Sequence, residues 1–343
     1  MEKKSLTPVS KLGEFGLIEH LTRQFSLTNS SSLKGVGDDA AVMDYSGEAT
    51  VVSTDLLVEG VHFDLAYVPL MHLGYKAVVV NLSDIYAMNA QPKQITVSLA
   101  LSSKFTVEAL EELYAGIAHA CKQYGVDLVG GDTTSSTSGL VISVTALGVG
   151  KKEALVYRNG ARPGDLIAVS GDLGAAYLGL QLLEREKQVF LENPEVQPDF
   201  EGNEYLVGRF LRPEARRDVL AFFDDMELRP TSMMDISDGL SSDLMHICKQ
   251  SGVGAVLQEA RLPIAEEAYH QALAFNMDPT TCMLNGGEDY ELLFTIAPED
   301  ETKLTGSELV TIVGEITAAS EGLILHTKSG NKHALKAQGW RHF

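Results

Sequence analysis

The chain has 343 residues, 45% of them hydrophobic and 22% charged, with 47 acidic side chains against 27 basic ones and a formal net charge of −20. A surface this acidic repels nucleic acid and anionic membrane alike, which excludes both as expected partners. The length exceeds the roughly 250–300 residues at which one core stops growing, so two domains are expected.

In chain order, Leu12, Phe15, Ile18, Leu21 and Phe25 recur at helical spacing and predict an amphipathic helix over 13–25. Strands are expected at 40–44 and 50–59 around a turn at Ser46-Gly47, then a helix over 70–88 opened by Pro69. Residues 95–101 alternate like a strand, and Thr106 is placed to cap a helix that runs to Tyr124 and stops at Gly125. Strands at 127–129 and 140–149 close the first half. The charged, Gly- and Pro-bearing stretch 150–165 divides an N-terminal domain, 1–150, from a C-terminal domain, 151–343. The second half reads as strand 166–170, helix 174–186, an irregular acidic stretch 187–203, a helix after Pro213, strand 233–236, helix 238–250, strand 254–258, helix 265–275, and strands 291–296 and 309–313. Interleaved helices and strands in both halves give an α/β or α+β class.

Cys121, Cys248 and Cys282 are widely spaced and form no CxxC pair, which favours buried thiols in a reducing compartment over disulfides or zinc. The opening MEKKSLTPVSKLGEF lacks the apolar core of about 7–15 residues that a secretory signal requires. Nor does any run approach the roughly 18 apolar residues of a membrane span, so a cytoplasmic location is expected.

The informative pattern is where the aspartates stand. Asp38 and Asp39 lie in GVGDDAAV, Asp55 in VVSTD, Asp84 in NLSD, Asp132 in VGGDTT, and Asp235 with Asp238 in MMDISDGL. Most adjoin short apolar runs, which places them at strand ends or turns whose loops can converge, and the glycines before Asp38 and Asp132 allow close backbone approach to a ligand. Each one alone is more often structural, since Asp beside Gly is a common turn pair and Asp before a helix a common cap. Together they are harder to dismiss, because turns accept asparagine or serine equally well.

If they converge, two carboxylates at about 4 Å repel by about 1 kcal/mol in water and about 4 at an effective dielectric of 20, so a cluster demands cations. Hard oxygen donors select magnesium, manganese or calcium over zinc or copper. A compact D-x-D-x-D-G calcium loop is absent from the sequence, and donors scattered over the chain suit magnesium shared with nucleotide phosphates. Neither GxxxxGK[ST] nor an HRD…DFG set is present. GGDTT offers backbone N–H groups to phosphate but is a weak signal alone, and Arg158 in YRNGARPGD either decorates the linker or reaches a phosphate.

Read in order, GVGDDAAV, VVSTDLLVEGVHF, YKAVVVNLSDIYAM, VGGDTT, YRNGARPGD, MDISDGLSSDL and NGGEDYELLF resemble the thiamine-monophosphate kinase family over nearly the whole chain. That family shares a superfamily with aminoimidazole ribonucleotide synthetase, selenophosphate synthetase and a hydrogenase-maturation protein. The resemblance implies a two-domain α+β fold, a homodimer pairing its N-terminal sheets, and ATP-dependent phosphorylation of thiamine monophosphate to thiamine diphosphate. Carried over by position, Asp38, Ser53, Thr54, Asp55, Asp84, Asp132, Asp235 and Asp238 are the implied magnesium ligands. Tyr114, Gly131, Asp132, Arg158 and Ser237 are the implied ATP contacts, and His62, Glu288 and Trp340 the implied contacts to thiamine monophosphate.

Structural alternatives stand beside the last three: a satisfied imidazole for His62, a cap or ion pair for Glu288, a tail anchor for Trp340. An aromatic face does suit a cationic thiazolium. The resemblance implies direct in-line transfer without a general base, because the accepting phosphate is already largely dianionic at neutral pH. Two departures are visible: Asn89 stands where the family usually has glycine, and residues 187–204 form an extra excursion. The alternatives are another ATP-using enzyme of the superfamily and a non-catalytic Mg-nucleotide module. Selenophosphate synthetase and the hydrogenase-maturation protein are disfavoured by the lack of an early cysteine and of a terminal one.

Overall fold

Residues 7, 11, 17, 20–34, 42–44 and 48–336 are described by the structure, a computed structural model. They divide into two units, one formed by the described part of Met1–Ile85 with Ala90–Glu153, the other by Tyr86–Asn89 with the described part of Ala154–Phe343. Of the helix expected over 13–25, Leu17 and residues 20–22 are helical, while the Ser46-Gly47 turn lies outside the described residues.

In the first unit β1 (Ser32–Lys34) and β2 (Val42–Met43) form a short antiparallel pair. Then come β3 (Ala49–Val58), α1 (Leu70–Ala87), β4 (Gln91–Leu101), α2 (Val107–Tyr124), β5 (Asp127–Ser135) and β6 (Leu140–Gly150). The sheet runs β3-β6-β4-β5. Only β4 and β5 are parallel, and α2 supplies the crossover such a pair requires. Period-two alternation gives this sheet a covered face and an open one. On β3 the half-buried Ser53 and Asp55 alternate with exposed Val52, Thr54 and Leu56.

Helix α1 is buried on every side from Leu73 to Ser83, as an all-round apolar helix must be, and Asp84 is the first side chain beyond that stretch to be partly exposed. Its backbone sits against α2 at two glycines: a Cβ at Gly74 would lie 1.9 Å from the Leu113 carbonyl oxygen, and one at Gly116 1.9 Å from that of Met71. Both expected ends of α2 are present: Thr106 Oγ1 accepts the Ala109 N–H, and Gly125 closes the helix at φ 68°. Asp127, at the start of β5, gathers the Thr28 and Asn29 N–H groups and the Ser32 hydroxyl, fixing the segment that leads toward GVGDDAAV.

The second unit carries seven strands, β7 (Leu166–Ser170), β8 (Ser232–Asp235), β9 (Val253–Gln258), β10 (Leu292–Ile296), β11 (Val310–Ala318), β12 (Leu323–His326) and β13 (Lys332–Ala334). They order as β13-β12-β9-β11-β7-β10-β8, antiparallel throughout except for β12 beside β9. The helices are α3 (Ala175–Glu192), α4 (Glu204–Leu211), α5 (Arg217–Asp225), α6 (Leu240–Ser251), α7 (Glu266–Ala274), α8 (Pro279–Asn285) and α9 (Glu301–Leu304). Ile167, Val169, Ile236, Leu244, Leu257 and Leu293 form the middle of one core.

α3 runs past the expected 186 to Glu192, because no glycine or proline interrupts it before Pro194, and the irregular stretch shortens to 193–203. Asn89 adopts φ 55° and donates from its side chain to the Ala154 carbonyl at 2.9 Å, so it meets the left-handed requirement that glycine usually fills. All three cysteines are free and buried, and no helix among the described residues is long and apolar enough to cross a membrane.

Candidate metal and phosphate site

In the first unit the structure brings Asp55 and Asp84 together. Ser53 and Asp55 share a face of β3, and the Ser53 hydroxyl donates to Asp84 Oδ2 at 2.5 Å. Asn81, one helical turn before Asp84, accepts the Asp55 N–H at 2.9 Å and anchors its own amide on the Ala77 carbonyl. Burial, and then the neighbouring Asp84 charge, push the Asp55 carboxyl up to about 6. Asp55 stands inside β3 and Asp84 on α1, as the strand expected over 50–59 and the helix expected over 70–88 imply, and neither lies at the strand end or turn expected of the aspartates as a group.

Thr54 and Asp132 are not brought to this pair. The Thr54 side chain lies on the opposite face, donating to the Val144 carbonyl and accepting from Thr145 Oγ1, each at 3.0 Å. Cross-strand register places Asp55, Val144, Val97 and Gly131 in one row and Leu56, Ser143, Ser98 and Asp132 in the next. Adjacent rows face opposite ways, so Asp132 sits on the other face and the far edge strand, roughly 14 Å away by strand spacing. Gly131 is glycine for a structural reason: a Cβ there would lie 1.8 Å from the Val97 carbonyl oxygen, so the close approach is to β4. His62 Nδ1 accepts the Val58 N–H at 3.0 Å in the turn after β3, which leaves the neutral ring's proton on Nε2. Tyr114 is 5% exposed and meets Phe25 edge-on at 6.3 Å; it is a core side chain here, with little ring left for a base. Asp38, Asp39 and Trp340 lie outside the described residues.

In the second unit Asp235 ends β8, and Ser237 and Asp238 follow before α6. Asp243 in the first turn of α6 accepts the N–H groups of Asp238 and Gly239 at 3.3 and 3.1 Å. Burial foremost, then Asp235 and Asp238, push its carboxyl up to about 8, and its buried Oδ1 has no hydrogen-bond partner. The Tyr157 carbonyl accepts the Met233 N–H at 3.0 Å, so exposed Arg158 flanks the strand that delivers Asp235. Glu288 closes onto the same loop, its N–H donating to the Ser237 carbonyl at 2.7 Å. Gly287 before it has φ 71°, and a Cβ there would lie 2.7 Å from that carbonyl, which only glycine tolerates.

Among the described residues no three His, Cys, Asp or Glu side chains gather closely enough to cage a metal. What they offer instead is a coupled pair in one unit, and a carboxylate cluster with an orphaned oxygen in the other. All-oxygen donors in twos fit a hard divalent cation that completes its shell with phosphate or water. Both raised carboxyls bind protons more tightly folded than unfolded, so their own contribution to the stability of the cation-free protein falls as pH rises from about 4 to about 8. Magnesium is therefore expected to raise Tm at about pH 8 and to do little at about pH 5. Differential scanning calorimetry at the two pH values checks this; equal shifts at both would count against the pairing.

Asn81 and Asp243 were not expected, although Asn81 stands at the i,i+3 position from Asp84 and Asp243 is the third acid of MDISDGLSSDL.

The family models for the AIR synthase related protein match this chain, the N-terminal domain over residues 37–150 and the C-terminal domain over 162–326. The fold of the two units and these matches thus define a two-domain protein of the AIR synthase-related class. Hydrogenase-maturation protein HypE in complex with ATP shares that fold at a TM-score of 0.71 with 19% identity, covering 93% of this chain and 94% of its own.

Thiamine-monophosphate kinase of Aquifex aeolicus is 35% identical over 335 residues, 98% of this chain and 99% of its own, and that of Escherichia coli K12 is 36% identical over 347, covering 96% and 98%. The solved structure of AaThiL complexed with AMPPCP and TMP matches with a TM-score of 0.74 and 34% identity, covering 99% of this chain and all of that one. The chain belongs to the thiamine-monophosphate kinase family.

Proposed function

We propose that this chain transfers the terminal phosphoryl group of ATP to the phosphate of thiamine monophosphate, giving ADP and thiamine diphosphate, with magnesium as the cation. The observation that carries the reading is the Asp55–Asp84 pair, two electrostatically coupled carboxylates, in a chain that aligns over 98% of its length with a thiamine-monophosphate kinase. Magnesium, when bound, neutralises the two anions that must meet and aligns them for in-line displacement.

The protein's own part is positional. Ser53, Asp55 and Asp84 form one cation-holding group, Asp235 and Asp238 a second, and Asp38 and Asp132 keep the roles the resemblance gave them. Thr54, whose side chain is turned away, acts through its main chain. Arg158, Gly131 and Ser237 contact the nucleotide phosphates. His62 presents its Nε2 proton to an acceptor oxygen, and Glu288 with Trp340 receives the cationic ring system. No general base is needed, since a phosphomonoester with a second pKa near about 6 is already mostly dianionic at neutral pH.

The open face of the first unit's sheet exposes Val52 at 59% and Leu56 at 53%, apolar surface that favours a second copy laid sheet against sheet. A cytoplasmic location goes with this pathway.

Incubation with ATP, magnesium and thiamine monophosphate, following ADP and thiamine diphosphate together, tests the assignment. ADP release that depends on both additions is expected; ADP release indifferent to thiamine monophosphate would point to another member of the superfamily.

A further inference from the structure

We propose that Arg209 is a positioning residue: from helix α4 it clamps the turn that carries Glu288, and so sets the affinity for thiamine monophosphate without touching it. The inference rests on the assignment of Glu288 under the proposed function. It also gives a task to the helix that follows the 193–203 excursion, a stretch the proposed chemistry leaves unused.

The turn is strained. Glu288 at φ 57° and Tyr290 at φ 52° are both left-handed non-glycine residues, one residue apart, and such a conformation persists only when its surroundings over-determine it. On one side the restraint is main chain. The Glu288 N–H donates to the Ser237 carbonyl at 2.7 Å, the Tyr290 N–H to Ile236 at 2.9 Å, and the Ile236 N–H back to Glu291 at 2.8 Å. On the other side it is side chain. Asp289, 1% exposed, accepts the Gly174 N–H at 2.9 Å at the start of α3. Glu291, also 1% exposed, accepts the Ser170 hydroxyl at 2.5 Å and pairs with both Arg209 and Arg216.

The two arginines differ in what else they hold. Arg216 spends its other nitrogens on Asp218, at 2.9 Å each. Arg209 Nη2 reaches Glu291 Oε1 at 2.8 Å and donates to the Asp289 carbonyl at 3.3 Å and the Asp172 carbonyl at 3.2 Å. It therefore ties the main chain of the Glu288 turn to the loop after β7. All three contacts come from the one terminal nitrogen, which the rigid guanidinium plane carries one bond farther from the backbone than a lysine ammonium reaches on its flexible stem.

The test is steady-state kinetics on the full chain. Arg209→Lys keeps the charge and loses the reach and rigid plane of the guanidinium; KM for thiamine monophosphate is expected to rise about tenfold, with kcat and KM for ATP within about twofold. Arg216→Lys, which disturbs the same carboxylate, is expected to lower Tm comparably and leave that KM within about twofold. Glu288→Gly provides a background that adopts the left-handed turn without strain, so it folds at least as well as the parent. There the KM is already raised, and adding Arg209→Lys is expected to raise it no further, as coupled residues behave.

An unchanged KM in Arg209→Lys would overturn the inference. So would an equal rise in Arg216→Lys, or a full additive effect in the Glu288→Gly background. Absence of thiamine monophosphate turnover by the parent chain, or an unchanged KM in Glu288→Gly, overturns the proposed function instead.

Discussion

Asp84→Asn is expected to lower turnover by at least about a hundredfold while leaving Tm unchanged or raised, and Asp55→Asn to do the same. Either change removes a cation donor at the point where two phosphate anions must be brought together. Either also removes the repulsion that, after burial, lifts the Asp55 carboxyl to about 6, so the cation-free fold gains what the reaction loses. In Asp84→Asn the Ser53 hydroxyl keeps an acceptor in the oxygen of the new side-chain amide, and in Asp55→Asn the Asn81 side chain still holds the same main-chain N–H. Turnover assays paired with calorimetry separate this outcome from simple unfolding. Near-parental turnover in both variants would remove the metal assignment.

The second large effect is on stability. Glu291→Ala removes the buried carboxylate that Arg209 and Arg216 share, leaving Arg216 with Asp218 and Arg209 with the Asp172 and Asp289 carbonyls, and breaking a buried pair by removing one partner costs about 3–5 kcal/mol. Against a typical total of about 5–15 kcal/mol that is a large share, so a marked fall in the urea midpoint is expected. Glu291→Gln is expected to cost less, since an amide still accepts the Ser170 hydroxyl and one guanidinium N–H. An alanine variant as stable as the parent would mean the network is solvated.

What could be read from the residues follows from how local each signal is. The helix expected over 70–88 and the cap pair Thr106 and Gly125 depend on neighbours within a few turns, and they are found as Leu70–Ala87 and Val107–Tyr124 with those caps. β12, β13, α4 and α8, three to eight residues long, show no period and escaped notice, whereas the equally short β7, β8, β9 and β10 were legible as apolar runs.

The same limit shaped the site. Asp55 and Asp84 come from the long strand and the long helix expected over 50–59 and 70–88, whereas the place of Asp132 depends on cross-strand register, which a list of motifs does not contain. Thr54 could have been placed from alternation alone, being the neighbour of two inward-facing residues. Tyr114 belongs with Leu110, Leu113, Ile117 and Cys121 on the buried stripe of α2. Arg209 and Glu291 are 82 positions apart in the numbering of the chain, and nothing local pairs them.

The hydrogen bonds that zip Ile236 and Ser237 to Glu288, Tyr290 and Glu291 make two loops with different proposed ligands into one mechanical piece. Occupancy on one strand of that zipper is then felt by the other as a change in free energy. By linkage the influence is mutual: any factor by which the nucleotide alters affinity for the thiamine ester is returned unchanged in the opposite direction.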